Sequence, residues 1–284
     1  MEKHSFEEHM IHGTADFPVG VYNLNFDSKS DVLFPLHYHR EFEILVITKG
    51  KVKLQLEGET VYLAEGEGIF INSGMLHSAV QEEGVASGFT AIVFLPEFIA
   101  SEYEELYKRY IRTLVKNELI FSHTLPQEAV SLALETSRIF QTAEFGYELA
   151  VKGNLTRILA RCIAGAERDV GAGSDHKADS VRMVLDYIHE NYGSEISLSE
   201  LAAHAHVSRE HLCRIFREVS EFSPIVYLNR YRIIQSAYML QNTDKSISEI
   251  ASCCGFNHCS YFNKLFLRFM KCSPTEYRRG RKER

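Results

Sequence analysis

Four residues able to ligate a metal fall in the first third of this 284-residue chain: His37, His39 and Glu43 in one run, then His77. Three imidazoles and a carboxylate are a donor set suited to a divalent transition ion such as Ni, Mn, Fe or Zn. His37, His39 and Glu43 share parity, so an extended strand would present all three on one face. With Phe34 and Tyr38 beside them, they also make a surface that can stack on and hydrogen-bond a small polar molecule. The candidate effector-binding residues are therefore Phe34, His37, Tyr38, His39, Glu43 and His77, and the candidate metal ligands are the three histidines and Glu43. A polar floor beneath an effector, or a hydrogen-bonded core cluster, also accounts for the four residues. His4, His9 and His12 have a weaker claim on metal.

Convergence of these side chains requires a barrel or sandwich, and residues 17–96 read as one. VYNLNF, EFEILVITKG, KVKLQLEG, ETVYLA, GIFIN, HSAVQ and FTAIVFL are short β-prone runs parted by Gly, Asp or charged turns. That spacing predicts a small antiparallel sandwich or barrel. Residues 1–16 are read as an N-terminal arm.

The last third holds a duplication. Ser197, Glu200, Leu201-Ala202 and Val207-Ser208 recur 49 positions on as Ser246, Glu249, Ile250-Ala251 and Phe256-Asn257. Leu212, Phe216, Ser223-Pro224 and Tyr227 recur 50 positions on as Phe262, Phe266, Ser273-Pro274 and Tyr277. A fixed offset over two copies indicates a repeated supersecondary unit. Ser197-x-x-Glu200 and Ser246-x-x-Glu249 are capping boxes, and Ser208 and Asn257 are expected to cap the helices after the turns. Each copy thus reads as a helix, a tight turn and a second helix, the arrangement that can enter a DNA major groove. The inserted residue falls between Asn257 and Phe262, at a helix entrance, and predicts that the two second helices present unequal faces.

Charge follows the same division. Residues 177–284 carry 16 Lys and Arg against 12 Asp and Glu, whereas residues 1–176 carry 15 against 26. An acidic body with a basic end suits nucleic-acid contacts confined to that end. No apolar run is long enough to span a membrane. The N-terminus lacks a basic region followed by an apolar one, so no signal peptide is expected and the protein is placed in the cytoplasm. The six cysteines include no C-x-x-C pair and read as reduced thiols, which argues against zinc held by cysteine.

Residues 180–284 resemble the DNA-binding domain of AraC/XylS-type bacterial transcription regulators, through Ile250-Ala251, Gly255-Phe256, Tyr261-Phe262, Phe266 and Ser273-Pro274-x-x-Tyr277-Arg278. The N-terminal run resembles the cupin fold, a jelly-roll barrel. Its first motif, H-x-H-x3-E-x6-G, is complete from His37 to Gly50; the second has Asn72 where Pro is usual and Gln81 where Asn is usual. These resemblances imply an α+β multidomain protein: a cupin barrel with helices, then an all-α domain with two helix-turn-helix motifs. The implied function is sequence-specific regulation of transcription under a small-molecule effector, a sugar or related carbon source, without enzymatic activity or a required cofactor. The implied partners are double-stranded DNA, the effector, a second copy of the chain and RNA polymerase, with no membrane. Two other readings use the same residues: a metal-sensing regulator, since those four positions ligate metal in cupin enzymes, and a cupin metalloenzyme.

The family's base-contacting positions fall on Glu210, Cys213 and Arg214, and on Cys259, Ser260 and Lys264, with Arg209, His258 and Asn263 on the same faces. Arg214 and Lys264 suit guanine or phosphate. Where the family usually has a helix-ending Gly, this chain has Glu221 and Lys271. Between the domains, 97–165 reads as a helical support and dimerisation region. Ser101-x-x-Glu104 opens it as a third capping box. Tyr147, Val151, Leu155, Ile158 and Cys162 form a stripe that can pack on the barrel or on a second subunit, and the resemblance favours dimerisation. Residues 166–179 read as a linker. Val226, Leu228, Ile233, Ala237 and Leu240 are expected core of the helix joining the two motifs.

Overall fold

The structure, a computed structural model, describes residues 12–14, 16–28, 32–82, 84–164, 166–168, 176–220 and 222–282. The chain divides into two units that part between Asp175 and His176.

Eight strands of the first unit build its main sheets, among the described residues: β1 (Val19–Phe26), β2 (Val32–His37), β3 (Phe42–Lys49), β4 (Lys51–Leu56), β5 (Glu59–Ala64), β6 (Gly68–Ile71), β7 (His77–Gln81) and β8 (Ser87–Phe94). They form two four-stranded antiparallel sheets, ordered β1-β8-β3-β6 and β2-β7-β4-β5, and not one closed ring. Strand β2 is absent from the runs read in the sequence. Its Pro35 disguises it, because proline cannot donate to a ladder, and its pairing with β7 shifts register twice.

Alternation along β3 explains the layering. Leu45 and Ile47 pack with Val52, Leu54, Leu63 and Ala79 in a core built from both sheets. Ile44 and Val46 face the other way, into a second core shared with helices α3 (Gln127–Thr142) and α4 (Tyr147–Cys162). Before these helices come α1 (Pro96–Ile99), a π-helical turn at Tyr107–Ile111 and α2 (Arg112–Val115). Only half of the expected box forms at Ser101: its N–H donates to the Glu104 carboxylate at 2.8 Å, while its hydroxyl accepts from Tyr103 at 3.4 Å. Two-residue strands β9 (Leu119–Ile120) and β10 (Glu167–Arg168) pair with each other, and β10 lies inside the stretch read as linker.

The α4 stripe is settled. Val151, Leu155, Ile158 and Cys162 are buried in the core that α4 shares with α3 and the first sheet, so they are not available to a second subunit.

The second unit consists of α5 (His176–Asn191), α6 (Leu198–His204), α7 (Arg209–Ser220), α8 (Pro224–Asn242), α9 (Ile247–Cys253), α10 (Cys259–Met270) and α11 (Pro274–Lys282). Helix α5 begins inside the expected linker and buries Val181, Val184, Leu185 and Ile188. Both capping boxes, at Ser197 and Ser246, are complete. The Ser-Pro exits serve as N-caps: Ser223 accepts from Val226 N–H, and Ser273 from Glu276 N–H. Val226 is a correction to the expected core of α8, being 40% exposed; Leu228, Ile233, Ala237 and Leu240 are buried.

Candidate functional site

His37 ends β2, His39 follows it, Glu43 lies on β3 and His77 begins β7. The four therefore meet from two sheets, and shared parity on one strand is not what gathers them. Their ligand atoms all lie within 4.8 Å of one another. Glu43 Oε2 stands 3.2 Å from Nε2 of both His39 and His77. Each histidine is oriented from behind, with its Nδ1 against a backbone carbonyl two residues away: His37 on Pro35 at 2.9 Å, His39 on Glu41 at 3.1 Å, His77 on Met75 at 2.8 Å. With the proton on Nδ1, the Nε2 lone pairs are left to face inward, the usual support of a metal-ligating imidazole.

Burial, and then the neighbouring His77 and His39, hold the His37 imidazole well below its ordinary pKa. Burial pushes the Glu43 carboxyl up, but the His39 and His77 rings outweigh it and hold it well below the usual carboxylate range. An ionised carboxylate among imidazoles is a site for a cation. The residues present fit one, because His77 Nε2 is buried and, despite its closeness to Glu43, makes no hydrogen bond.

Phe34 sets its ring edge-on to His37 and His77, at 5.5 and 5.8 Å between centroids, and Tyr38 is half-buried. His12, with only a weak claim on metal from the sequence, is buried beside the cluster, 6.1 Å from the His39 ring, with Nδ1 2.9 Å from the Tyr22 hydroxyl. Burial, then His39, lowers its pKa to about 4. His4 and His9 lie outside the described residues.

Both departures from the second cupin motif have structural work. Asn72 donates through Nδ2 to the Leu114 carbonyl at 2.6 Å and to Asn117 Oδ1 at 2.5 Å, tying the β6–β7 loop to the end of α2. Gln81 donates to the Asp27 carbonyl and accepts from the Ser87 hydroxyl, both at 2.7 Å. One feature had no sequence signal: a cavity of about 720 Å³ between the π-helical turn and α4, lined by Arg109, Tyr110, Leu114, Leu159 and Ile163 among others. Its walls come from segments far apart in sequence.

In the second unit, Arg209, Glu210, Arg214, His258, Cys259, Ser260, Asn263 and Lys264 are all exposed on or beside α7 and α10, and Cys213 is half-buried. Arg214 donates to Glu218, one turn on, at 3.0 Å. Ser208 caps α7 as expected, accepting from His211 N–H at 3.1 Å. Asn257 does not cap α10; His258 is the N-cap residue and makes no side-chain cap bond.

The insertion is also relocated. Val207 N–H donates to Ala202 and Phe256 to Ala251, still 49 apart, whereas Leu212 donates to Ser208 and Phe262 to His258, already 50 apart. The extra residue therefore lies in the turn, between Phe256 and His258. Helices α7 and α10 are each 12 residues long and match at a constant offset of 50. They present equivalent faces, contrary to the sequence expectation. The left-handed turn residues are His206 (φ +55°) and Gly255 (φ +76°). Lys271 is left-handed too (φ +58°) at the C-cap of α10, where glycine is usual; Glu221 lies outside the described residues.

A β-rich domain with a buried ligand-type cluster, followed by two exposed helix-turn-helix motifs, defines a ligand-responsive transcription regulator. The family described as AraC-like ligand binding domain matches residues 25–180, and the helix-turn-helix domain family matches residues 201–280. The chain belongs to the AraC family of transcription regulators. It is similar to the uncharacterised HTH-type transcriptional regulator YdeC of Bacillus subtilis, 28% identical over 280 residues and covering 94% of both chains. It is also similar to the transcriptional activator RhaS of Klebsiella pneumoniae, 23% identical over 286 residues, covering 96% of this chain and 98% of that one. A crystal form of ToxT from Vibrio cholerae shares the fold, with a TM-score of 0.50 at 14% identity, covering 92% of this chain and 97% of the other. YdeC and RhaS are transcriptional regulators, not enzymes, which removes the metalloenzyme reading.

Proposed function

We propose that this regulator reads a two-part DNA site with the exposed faces of α7 and α10, and that a ligand taken up at His37, His39, Glu43 and His77 controls it. The observation that carries the DNA reading is the constant 50-residue register, which places Arg214 and Lys264 at the same position of two equivalent helices. Arg214 can take guanine in a bidentate contact, while Lys264 supplies a point charge for guanine or phosphate. Arg209, Glu210, Cys213, His258, Cys259, Ser260 and Asn263 complete the two surfaces. A sugar or related carbon source is the expected small-molecule effector, with Phe34 and Tyr38 beside it. The protein acts in the cytoplasm as a homodimer that contacts RNA polymerase, and its dimer surface lies away from the buried α4 stripe.

A second reading, that the cluster senses a divalent metal ion, is favoured by the compactness of the four donors and by the bare Nε2 of His77. His37, His39, Glu43 and His77 would hold the ion, which would supply a positive charge for a ligand oxygen.

The test is a duplex selected from a random pool by the full chain, bound at physiological salt with and without sugars or divalent metals. Arg214→Ala and Lys264→Ala are each expected to weaken binding by about 1–3 kcal/mol. Unchanged affinity in both would reject α7 and α10 as the reading helices. A response to metal that is lost in His77→Ala would favour the ion over the sugar.

A further inference from the structure

Helix α8 joins the two helix-turn-helix copies, and two of its arginines reach into both. Arg232 is 8% exposed. Its Nε donates to the Tyr192 carbonyl at 2.8 Å and its Nη2 to the Ser194 carbonyl at 2.6 Å, both in the turn that leads into the first copy. The same guanidinium stands 5.7 Å from the Phe256 ring centre, in the turn of the second copy. Among the described residues no carboxylate pairs with it, so a buried cation is held by carbonyl and aromatic groups drawn from both halves. Arg230, two positions earlier, lies 4.6 Å from the ring centre of Phe222, which follows α7, and 5.4 Å from that of Phe269, near the end of α10.

The backbone is shaped around this junction. A Cβ on Gly255 would sit 2.4 Å from the Tyr192 carbonyl and 2.7 Å from Arg232 Nη2; one on Gly193 would sit 2.8 Å from the Cys253 carbonyl. Two turns from different copies therefore touch through glycines, with Arg232 wedged beside them. His206, the counterpart of Gly255, is exposed and carries a full side chain. The close approach belongs to the second copy alone.

We propose that Arg230 and Arg232 are positioning residues that fix the distance and rotation between α7 and α10, and thereby set the spacing of the two DNA half-sites the protein accepts. The proposal rests on α7 and α10 being the reading helices. Planar guanidinium geometry is what makes the clamp: lysine would keep the charge and lose the paired carbonyl bonds.

The test uses the full chain and the duplex it selects from a random pool, alongside duplexes with one or two base pairs inserted or removed between the half-sites. Affinities are measured by fluorescence anisotropy for the parent, Arg232→Lys, Arg230→Gln and the double variant, with circular dichroism to verify folding. The parent is expected to lose about tenfold or more in affinity on a two-base-pair change, the scale of a lost half-site contact. In the double variant that penalty is expected to fall below about threefold, even where its affinity for the selected duplex drops. A merely structural role would weaken all duplexes alike, so an unchanged spacing penalty in a folded variant overturns the proposal. Loss of fold in the double variant leaves the decision to the single variants, each read the same way. Failure of Arg214→Ala and Lys264→Ala to weaken binding would instead overturn the underlying assignment of the helices, and this proposal with it.

Discussion

Nε2 of His77, on β7, lies 3.2 Å from Oε2 of Glu43, on β3, so the two sheets of the sensor domain meet at an imidazole–carboxylate contact. An ion bound there would bridge the sheets. At a free concentration near one hundred times Kd it would add about 2.7 kcal/mol, a rise of roughly 5–10 °C in melting temperature for a unit of this size. Calorimetry with Ni, Mn, Zn and Co should show that rise in the parent and none in His77→Ala or Glu43→Gln. An equal rise in the variants would place the metal elsewhere.

Lys271 holds a left-handed conformation that costs a side-chain-bearing residue about 1 kcal/mol. Lys271→Gly is expected to raise the melting temperature of the helical domain by about 3–6 °C. A fall would mean that contacts of the lysine outweigh its backbone cost.

Gly255 and His206 occupy the same turn position with the same sign of φ, yet substitution should act oppositely. Gly255→Ala would drive a methyl into the Tyr192 carbonyl and should cost at least about 2 kcal/mol in urea denaturation. His206→Gly, at an open position, should be neutral or stabilising by under about 1 kcal/mol. Similar effects at both sites would contradict the asymmetric junction.

Burial pushes the Cys162 and Cys254 thiols up to about 12, while Cys253 and Cys259 are exposed. Iodoacetamide at pH 8 should therefore label Cys253 and Cys259 in native protein and reach Cys162 and Cys254 only after denaturation. Mass spectrometry of the labelled peptides decides this.

His123 donates its Nδ1–H to the Phe70 carbonyl at 3.0 Å, and burial lowers its pKa. A histidine with a depressed folded pKa takes up its proton more readily when unfolded. Stability is therefore whole above the unfolded value near 6.5 and falls as pH drops below it. Denaturation at pH 7 and pH 5 should show that loss, and His123→Gln should reduce it. An identical pH dependence in the variant would exclude His123 as a contributor.

Much of the candidate site was legible in the residue types: His37, His39, Glu43 and His77 do converge. The reason for convergence was not, because Pro35 hides β2 and pairing across two sheets leaves no periodic mark. The buried stripe of α4 was equally visible, but period alone does not say what covers it, and here α3 and the first sheet do. The capping boxes at Ser197 and Ser246 are legible in the sequence, since their signal lies wholly within four residues. The insertion was misplaced because Asn257 looks like a cap, whereas the backbone bonds of Phe256 and Phe262 show where the offset changes.

Helices α7 and α10 share a register but not a sequence: Arg209, Glu210, Cys213 and Arg214 on one stand where Cys259, Ser260, Asn263 and Lys264 stand on the other. On the proposed reading, a duplex contacted by both would have a head and a tail. One chain would then distinguish the two orientations of its site, even though every base pair is kept.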